Sequence, residues 1–119
     1  MAAPNIVNVT TITGKTTVLA VTTSATAIVT NSGASGKVFK VNALYVSNVD
    51  GANNADVNVD IFRSSTAYHI AKTVSVPADS TLVVLDTPIY LMEGDILKGG
   101  ANAASDLDLF VSFEVMDDA

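Results

Sequence analysis

The chain has 119 residues, enough for one domain with a real hydrophobic core, and Cys 0 excludes disulfide scaffolds, thiolate metal sites and cysteine nucleophiles. Lys+Arg 6 against Asp+Glu 12 leaves a formal charge of −6, which excludes the clustered basic surface that nucleic acid or anionic lipid requires. Only 15% of residues are charged and the mean hydropathy is +0.42, a thin charge coat that predicts a surface facing other protein, while no apolar run approaches the roughly 20 residues that span a bilayer.

Along the chain the dominant signal is alternation with period two, carried by Thr, Val and Ile, whose branched side chains suit a pleated surface. Met1-Ala2-Ala3-Pro4-Asn5 lacks the basic and apolar regions of a signal peptide. Ile6, Val7, Val9 and Ile12 then predict an extended N-terminal arm or first strand over residues 1–14, ended by Gly14-Lys15, with the sandwich domain occupying 15–119. Thr16 to Thr23 and Ala25 to Thr30 read as short strands, and Asn31 to Gly36 as a turn with two glycines available for positive φ. Lys37 to Asn48 predicts a long strand with Val38, Lys40, Asn42, Leu44 and Val46 on one face and Phe39, Val41, Ala43, Tyr45 and Ser47 on the other.

Asp50-Gly51 opens a turn, after which Val57, Val59 and Ile61 point one way and Asp56, Asn58 and Asp60 the other, a strand with one wet face. Ala67 to Val76 continues as a strand and stops at Pro77. Leu82-Val83-Val84-Leu85 reads as a central strand buried on both faces, Ile89 to Met92 as a strand before the Glu93-Gly94-Asp95 turn, and Ile96-Leu97-Lys98 as a strand running into Gly99-Gly100. Asp106 to Val115 alternates with Leu107, Leu109, Val111, Phe113 and Val115 inward. About eight or nine short antiparallel strands at 8–12-residue spacing, with no helical period, predict a single all-β sandwich, jelly-roll or immunoglobulin-like.

The residues that could carry chemistry are few. His69 lies inside a predicted strand, away from any Gly-x-Ser-x-Gly elbow. Glu93 and Asp95 flank Gly94 in a tight turn, where exposed acids are the ordinary reading. No enzymatic activity and no cofactor are expected. Asp50, Asn53, Asn54 and Asp56 supply hard oxygens that suit calcium, although Asn, Asp and Gly are also what a hairpin turn needs. Gly33-Ala34-Ser35-Gly36-Lys37 lacks the Walker spacing and precedes a strand. With Trp 0 and no basic–aromatic interleaving, stacking platforms for bases or sugars are not expected, and Tyr45, Tyr68, Tyr90, Phe39 and Phe62 are expected to fill the core or cap its ends. Alternation sends Phe110 outward, either under a loop or into a subunit contact. Together with Pro4, Ile6, Val7 and Val9, whose extended segment suits strand addition to a partner, Phe110 completes the set of interface candidates.

Several segments carry a family likeness. Lys40-Val41-Asn42-Ala43-Leu44-Tyr45-Val46-Ser47-Asn48-Val49-Asp50-Gly51, then Ala71 through Leu82, Ile89 through Leu97 and Leu107 through Glu114 resemble small virion structural proteins of tailed phages, especially those infecting cyanobacteria. The resemblance implies a non-enzymatic virion component assembled in the host cytoplasm. Its implied role is a capsid decoration or cement protein bound to a major capsid protein or other virion proteins. A neck or tail component is the alternative, followed by a receptor- or carbohydrate-binding adhesion sandwich. Low charge density with positive hydropathy adds the expectation of a homo-oligomer, a trimer or dimer, without nucleic-acid or membrane partners.

Overall fold

A computed structural model describes residues 9–117. Nine strands occupy it: β1 (Thr11–Ala20), β2 (Thr26–Thr30), β3 (Lys37–Asn48), β4 (Ala55–Arg63), β5 (Thr66–Val76), β6 (Thr81–Val83), β7 (Ile89–Leu91), β8 (Ile96–Ala101) and β9 (Leu107–Asp117). They form two antiparallel sheets, one ordered β1-β9-β3-β6 with β7 also on β3, the other β2-β8-β4-β5. First strand beside last, and sheets that exchange successive strands, make this sandwich a jelly roll. An immunoglobulin-like order would pair β1 with β2, which instead lie in different sheets.

Alternating strands supply the core. Leu107, Leu109 and Val111 of β9 and Val57 and Val59 of β4 are fully buried, and Ile61, Phe113 and Val115 pack with them. Between the sheets β8 comes close at Gly99, where a Cβ would stand 2.6 Å from Leu109 Cδ2. Gly99 and Gly100 lie within β8, paired to β4, so the diglycine continues the strand. Its missing side chains let the layers close.

Several readings are corrected. β1 runs through Gly14-Lys15 in unbroken register with β9, because a mid-strand glycine costs little when β9 supplies the ladder. In β3 the pairing with β9 shifts between Val41 and Ala43. That bulge makes Phe39 and Val41 face inward before it and Leu44 and Val46 after it, so neither predicted face is continuous. The Leu82–Leu85 run is an edge: its ladder with β3 covers Thr81–Val83, the Val84 and Leu85 amides add bonds to the Leu44 carbonyl, and Val83 is 70% exposed. Asp60 is buried on the outer face expected to be wet, in register between Lys98 and His69. Of the aromatics assigned to the core, Phe39 does pack there, stacked on Phe113 at 5.6 Å. Tyr68 and Tyr90 are exposed, and Phe62 lies under the Lys98 ammonium, 3.8 Å from its ring centroid.

Two buried asparagines close the ends of the sandwich. Asn31, just after β2, donates from Nδ2 to the carbonyls of Lys37 and Leu91 at 3.0 Å each and accepts from Ser35 Oγ at 2.6 Å. At the other end Asn48 of β3 donates to the Val76 carbonyl at 2.8 Å and that of Asn53 at 3.0 Å, and accepts from the Asp50 amide at 2.9 Å. Each side chain leaves one sheet and bonds the other.

The Asn31 end also holds Asp95, which is 1% exposed and not the surface acid its turn suggested. Its carboxylate accepts from Arg63 Nε at 2.7 Å, from Arg63 Nη2, and from the Met92 amide at 2.8 Å. Burial pushes the Asp95 carboxyl up, but the Arg63 hydrogen bond, the Met92 amide and the Arg63 charge outweigh it and hold it below the ordinary carboxylate value.

Two stability experiments follow from these contacts. Gly99→Ala is expected to cost about 1–3 kcal/mol by overpacking and Leu109→Ala about 2–5 kcal/mol by cavity formation. The double variant loses less than the sum, because the new methyl enters space the leucine vacates; urea unfolding of the three proteins measures the coupling. Asp95→Ala is expected to cost about 2–3 kcal/mol at pH 7, since it strands the Met92 amide and frees the half-exposed Arg63. A depressed native pKa stabilises fully above the unfolded carboxylate value of about 3.9 and progressively less as pH falls through the native one. The stability difference between wild type and Asp95→Ala is therefore full above the ordinary carboxylate value and shrinks as pH falls through the lower native one.

Candidate assembly surface

The two outer faces of the sandwich differ in chemistry. On the smaller sheet, alternation directs Asp56, Asn58 and Asp60 of β4 outward, with Lys98 of β8 and His69 of β5 in register with Asp60. His69 is exposed on this face of an edge strand, among polar neighbours.

The larger sheet carries an apolar row. Register aligns Val18 of β1 with Phe110 of β9, Phe110 with Tyr45 of β3, and Tyr45 with Val83 of β6. The four side chains therefore cross four adjacent strands on one outer face. The Tyr45 and Phe110 rings stack with centroids 5.2 Å apart and planes at 14°. At the ends of the row Val18 is 62% and Val83 70% exposed. Beside it Val18, Leu19, Ala20, Asp108 and Phe110 line a shallow hollow of about 240 Å³. Each row member is outward because its inward neighbours, Leu19, Leu109, Val111, Leu44 and Val46, are taken by the core. An apolar row flanked by one carboxylate suits contact with protein.

Phe110, singled out by alternation, is thus half-buried against Tyr45. Tyr45, expected to fill the core or cap its ends, is instead half-buried on this outer face, and its row with Val18 and Val83 exists only once the order β1-β9-β3-β6 is known. Of the arm residues, Val9 is half-buried just ahead of β1, while Pro4, Ile6 and Val7 lie outside the described residues.

In the acidic turn, Asp50 Oδ1 accepts from the amides of Ala52 at 2.8 Å and Asn53 at 3.3 Å, and Oδ2 accepts from Asn53 Nδ2 at 3.2 Å. These bonds, the Ala52 amide first, hold the Asp50 carboxyl below its ordinary pKa. Asn54 Oδ1 accepts from the Ala78 amide at 3.3 Å, and Asp56 bonds Asn102 through its backbone. Of the oxygens proposed for calcium, the Asp50 carboxylate and Asn54 Oδ1 are engaged in building the turn, Asp50 with Asn53 and Asn54 with the loop after β5. Among the described residues no three His, Asp or Glu side chains converge as a metal site.

No protein-family model matches the chain, and no curated protein matches it. Among solved structures, a chain of the Bacillus endospore appendages, described as a novel family of disulfide-linked pili, aligns with a TM-score of 0.54 at 15% identity, covering 92% of this chain and 90% of that one. Two crystal structures of a pentameric capsid protein isolated from metagenomic phage sequences align at TM-scores of 0.36 and 0.39, with 19% and 20% identity, over 97% of this chain. The chain spans 64% and 65% of the length of those capsid chains. The pilus chain shares the fold. With Cys 0, this chain has no means of forming disulfide links of its own.

The row separates stability from contact. Val83→Ser, at a site already in water, is expected to shift stability by no more than about 0.5 kcal/mol. Phe110→Ala is expected to cost about 1–3 kcal/mol through the lost ring stack and partial burial. Urea unfolding measures both, and hydrophobic-dye binding to the folded variants should fall in each.

Proposed function

We propose that this chain is a structural protein of a phage virion, a capsid decoration or cement protein that reinforces the shell through protein–protein contacts. The observation that carries the reading is the Val18–Phe110–Tyr45–Val83 row on a domain with few charges. Such a face is a liability for a protein that stays alone in water and useful to one that coats a particle. The jelly-roll topology agrees by fold-level analogy, since this architecture recurs in viral capsid domains. The likeness of residues 40–51, 71–82, 89–97 and 107–114 to small tailed-phage virion proteins supplies the particle.

In this reading the N-terminal arm, with Pro4, Ile6 and Val7, adds a strand to a neighbour on the shell, and the apolar row seats the sandwich against it. Neighbours are the major capsid protein and further copies of this chain. Binding of labelled protein to particles stripped of it, read by electron microscopy and by heat release of DNA, is the test. Wild type is expected to bind over the shell and raise the release temperature. Val18→Ser with Val83→Ser, and separately a chain lacking residues 1–8, should stay folded and bind more weakly. Label confined to the portal or tail would assign the protein to the neck or tail instead. Unimpaired attachment of both variants would remove the contacts assigned here.

A further inference from the structure

We propose that the open edge of β1 pairs antiparallel with the β1 edge of a second copy, in the register that sets Thr16 opposite Thr16 and joins two larger sheets into one. The proposal rests on the reading of the chain as an assembly protein and adds to it a surface, a partner and a register.

Three of the four sheet edges carry devices that discourage strand addition. The edge opposite β1 is divided between β6 and β7, three residues each. β2 has five residues and a register shift between Ala27 and Val29. β5 is long, but its pairing with β4 shifts register twice and Thr73 sits at a φ of 54°. β1 differs: ten residues, no proline, and unbroken register with β9.

The direction of its free backbone groups follows from one bond. The Val21 amide donates to the carbonyl of Leu107, its register partner, at 2.9 Å. In an antiparallel ladder such hydrogen-bonded positions alternate. The odd-numbered residues of β1 therefore bond β9, while Ile12, Gly14, Thr16, Val18 and Ala20 aim their N–H and C=O groups away from the sheet. Among the described residues no strand pairs with that side.

The side chains of those same residues are complementary to their own reflection. Turning the strand about Thr16 sets Ile12 against Ala20 and Val18 against Gly14, a large residue against a small one each time. Nothing lies within 4 Å of where a Gly14 Cβ would be, while Ile12 is 56% and Val18 62% exposed. Lys15, the one charged residue of β1, selects among registers. Centred on Lys15, two ammonium groups would stand opposite each other; centred on Thr16, each faces Thr17 of the second copy. Centring on Val18 would leave only residues 16–20 overlapping. The Thr16 register overlaps residues 12–20 and satisfies every outward backbone group between them.

Proline is accepted at an edge position whose N–H points to solvent, so Thr16→Pro should fold and lose the central bonds of the pair. Light scattering at micromolar concentration should give wild type twice the 12.3 kDa chain mass and T16P the chain mass itself, while T16P keeps one cooperative urea transition, below that of wild type only by what the lost association contributes. Because the protein has no cysteine, single cysteines report the register directly. Hydrogen-bonded partners lie about 5.5 Å apart at Cα, within disulfide range. T16C should oxidise to a covalent dimer, I12C alone should not, and I12C mixed with A20C should. A T16C protein that stays monomeric, or I12C dimers formed as fast as T16C dimers, overturns the register. T16P that associates like wild type overturns the β1 edge while leaving the assembly reading intact. A wild type that stays monomeric yet still binds stripped particles does the same.

Discussion

The position of one sheet over the other is set at its two ends by side-chain amides. A primary amide offers two donors and an acceptor in one plane; Asn31 and Asn48 donate to strand carbonyls of the opposite layer and accept from donors of the adjoining loops. Without cysteine no covalent tie can do this, and apolar packing alone is non-directional. The Asn31 end extends further: the Asn31 backbone N–H donates to the Asp95 carbonyl at 2.9 Å, and the Asp95 carboxylate grips Arg63 at the end of β4. β2, β3, β4, β7 and β8 are thereby fixed against one another.

The resulting domain has two unlike outer faces. One presents acids, an amide, a lysine and a histidine, and the other presents stacked rings between two exposed valines. Four side chains cannot by themselves cover the roughly 800 Å² per partner of an ordinary stable interface. Contacts this small hold when they are repeated, because each added attachment makes the next one intramolecular. A lattice supplies that repetition, which is why a modest apolar row fits a coat better than a binary complex. The −6 charge sets a counterweight: it keeps free copies apart in water and is screened in salt.

Much of the fold was legible in the residues themselves. β4 and β9 alternate cleanly because each has one core face, and they are where reading and structure agree on Val57, Val59, Leu107, Leu109 and Val111. The ends of β3 were readable too, but not its faces, since a bulge leaves no mark on the pattern of apolar residues. Leu82–Leu85 misled for a related reason: a continuous apolar run says nothing about how much of it is paired. Asp95 misled most. A Glu-Gly-Asp turn reads as exposed, and its partner Arg63 is 32 residues away, so no local signal links them. The apolar row was half visible: parity places Phe110 outward, but only strand order brings Val18, Tyr45 and Val83 beside it.

The bulge in β3 bears on how the chain can change its length over evolution. Removing one residue from a two-sided strand turns every later side chain over, so insertions and deletions inside strands are normally lost. Asn42 sits at the register shift between Val41 and Ala43, exposed and bonded to Glu114 Oε1 at 3.3 Å. Without it, Phe39 and Val41 would still be followed by an outward Ala43 and an inward Leu44. Here a codon can vanish and leave each side chain on its own face. Shorter relatives of this chain can therefore have a straight β3 around the same core.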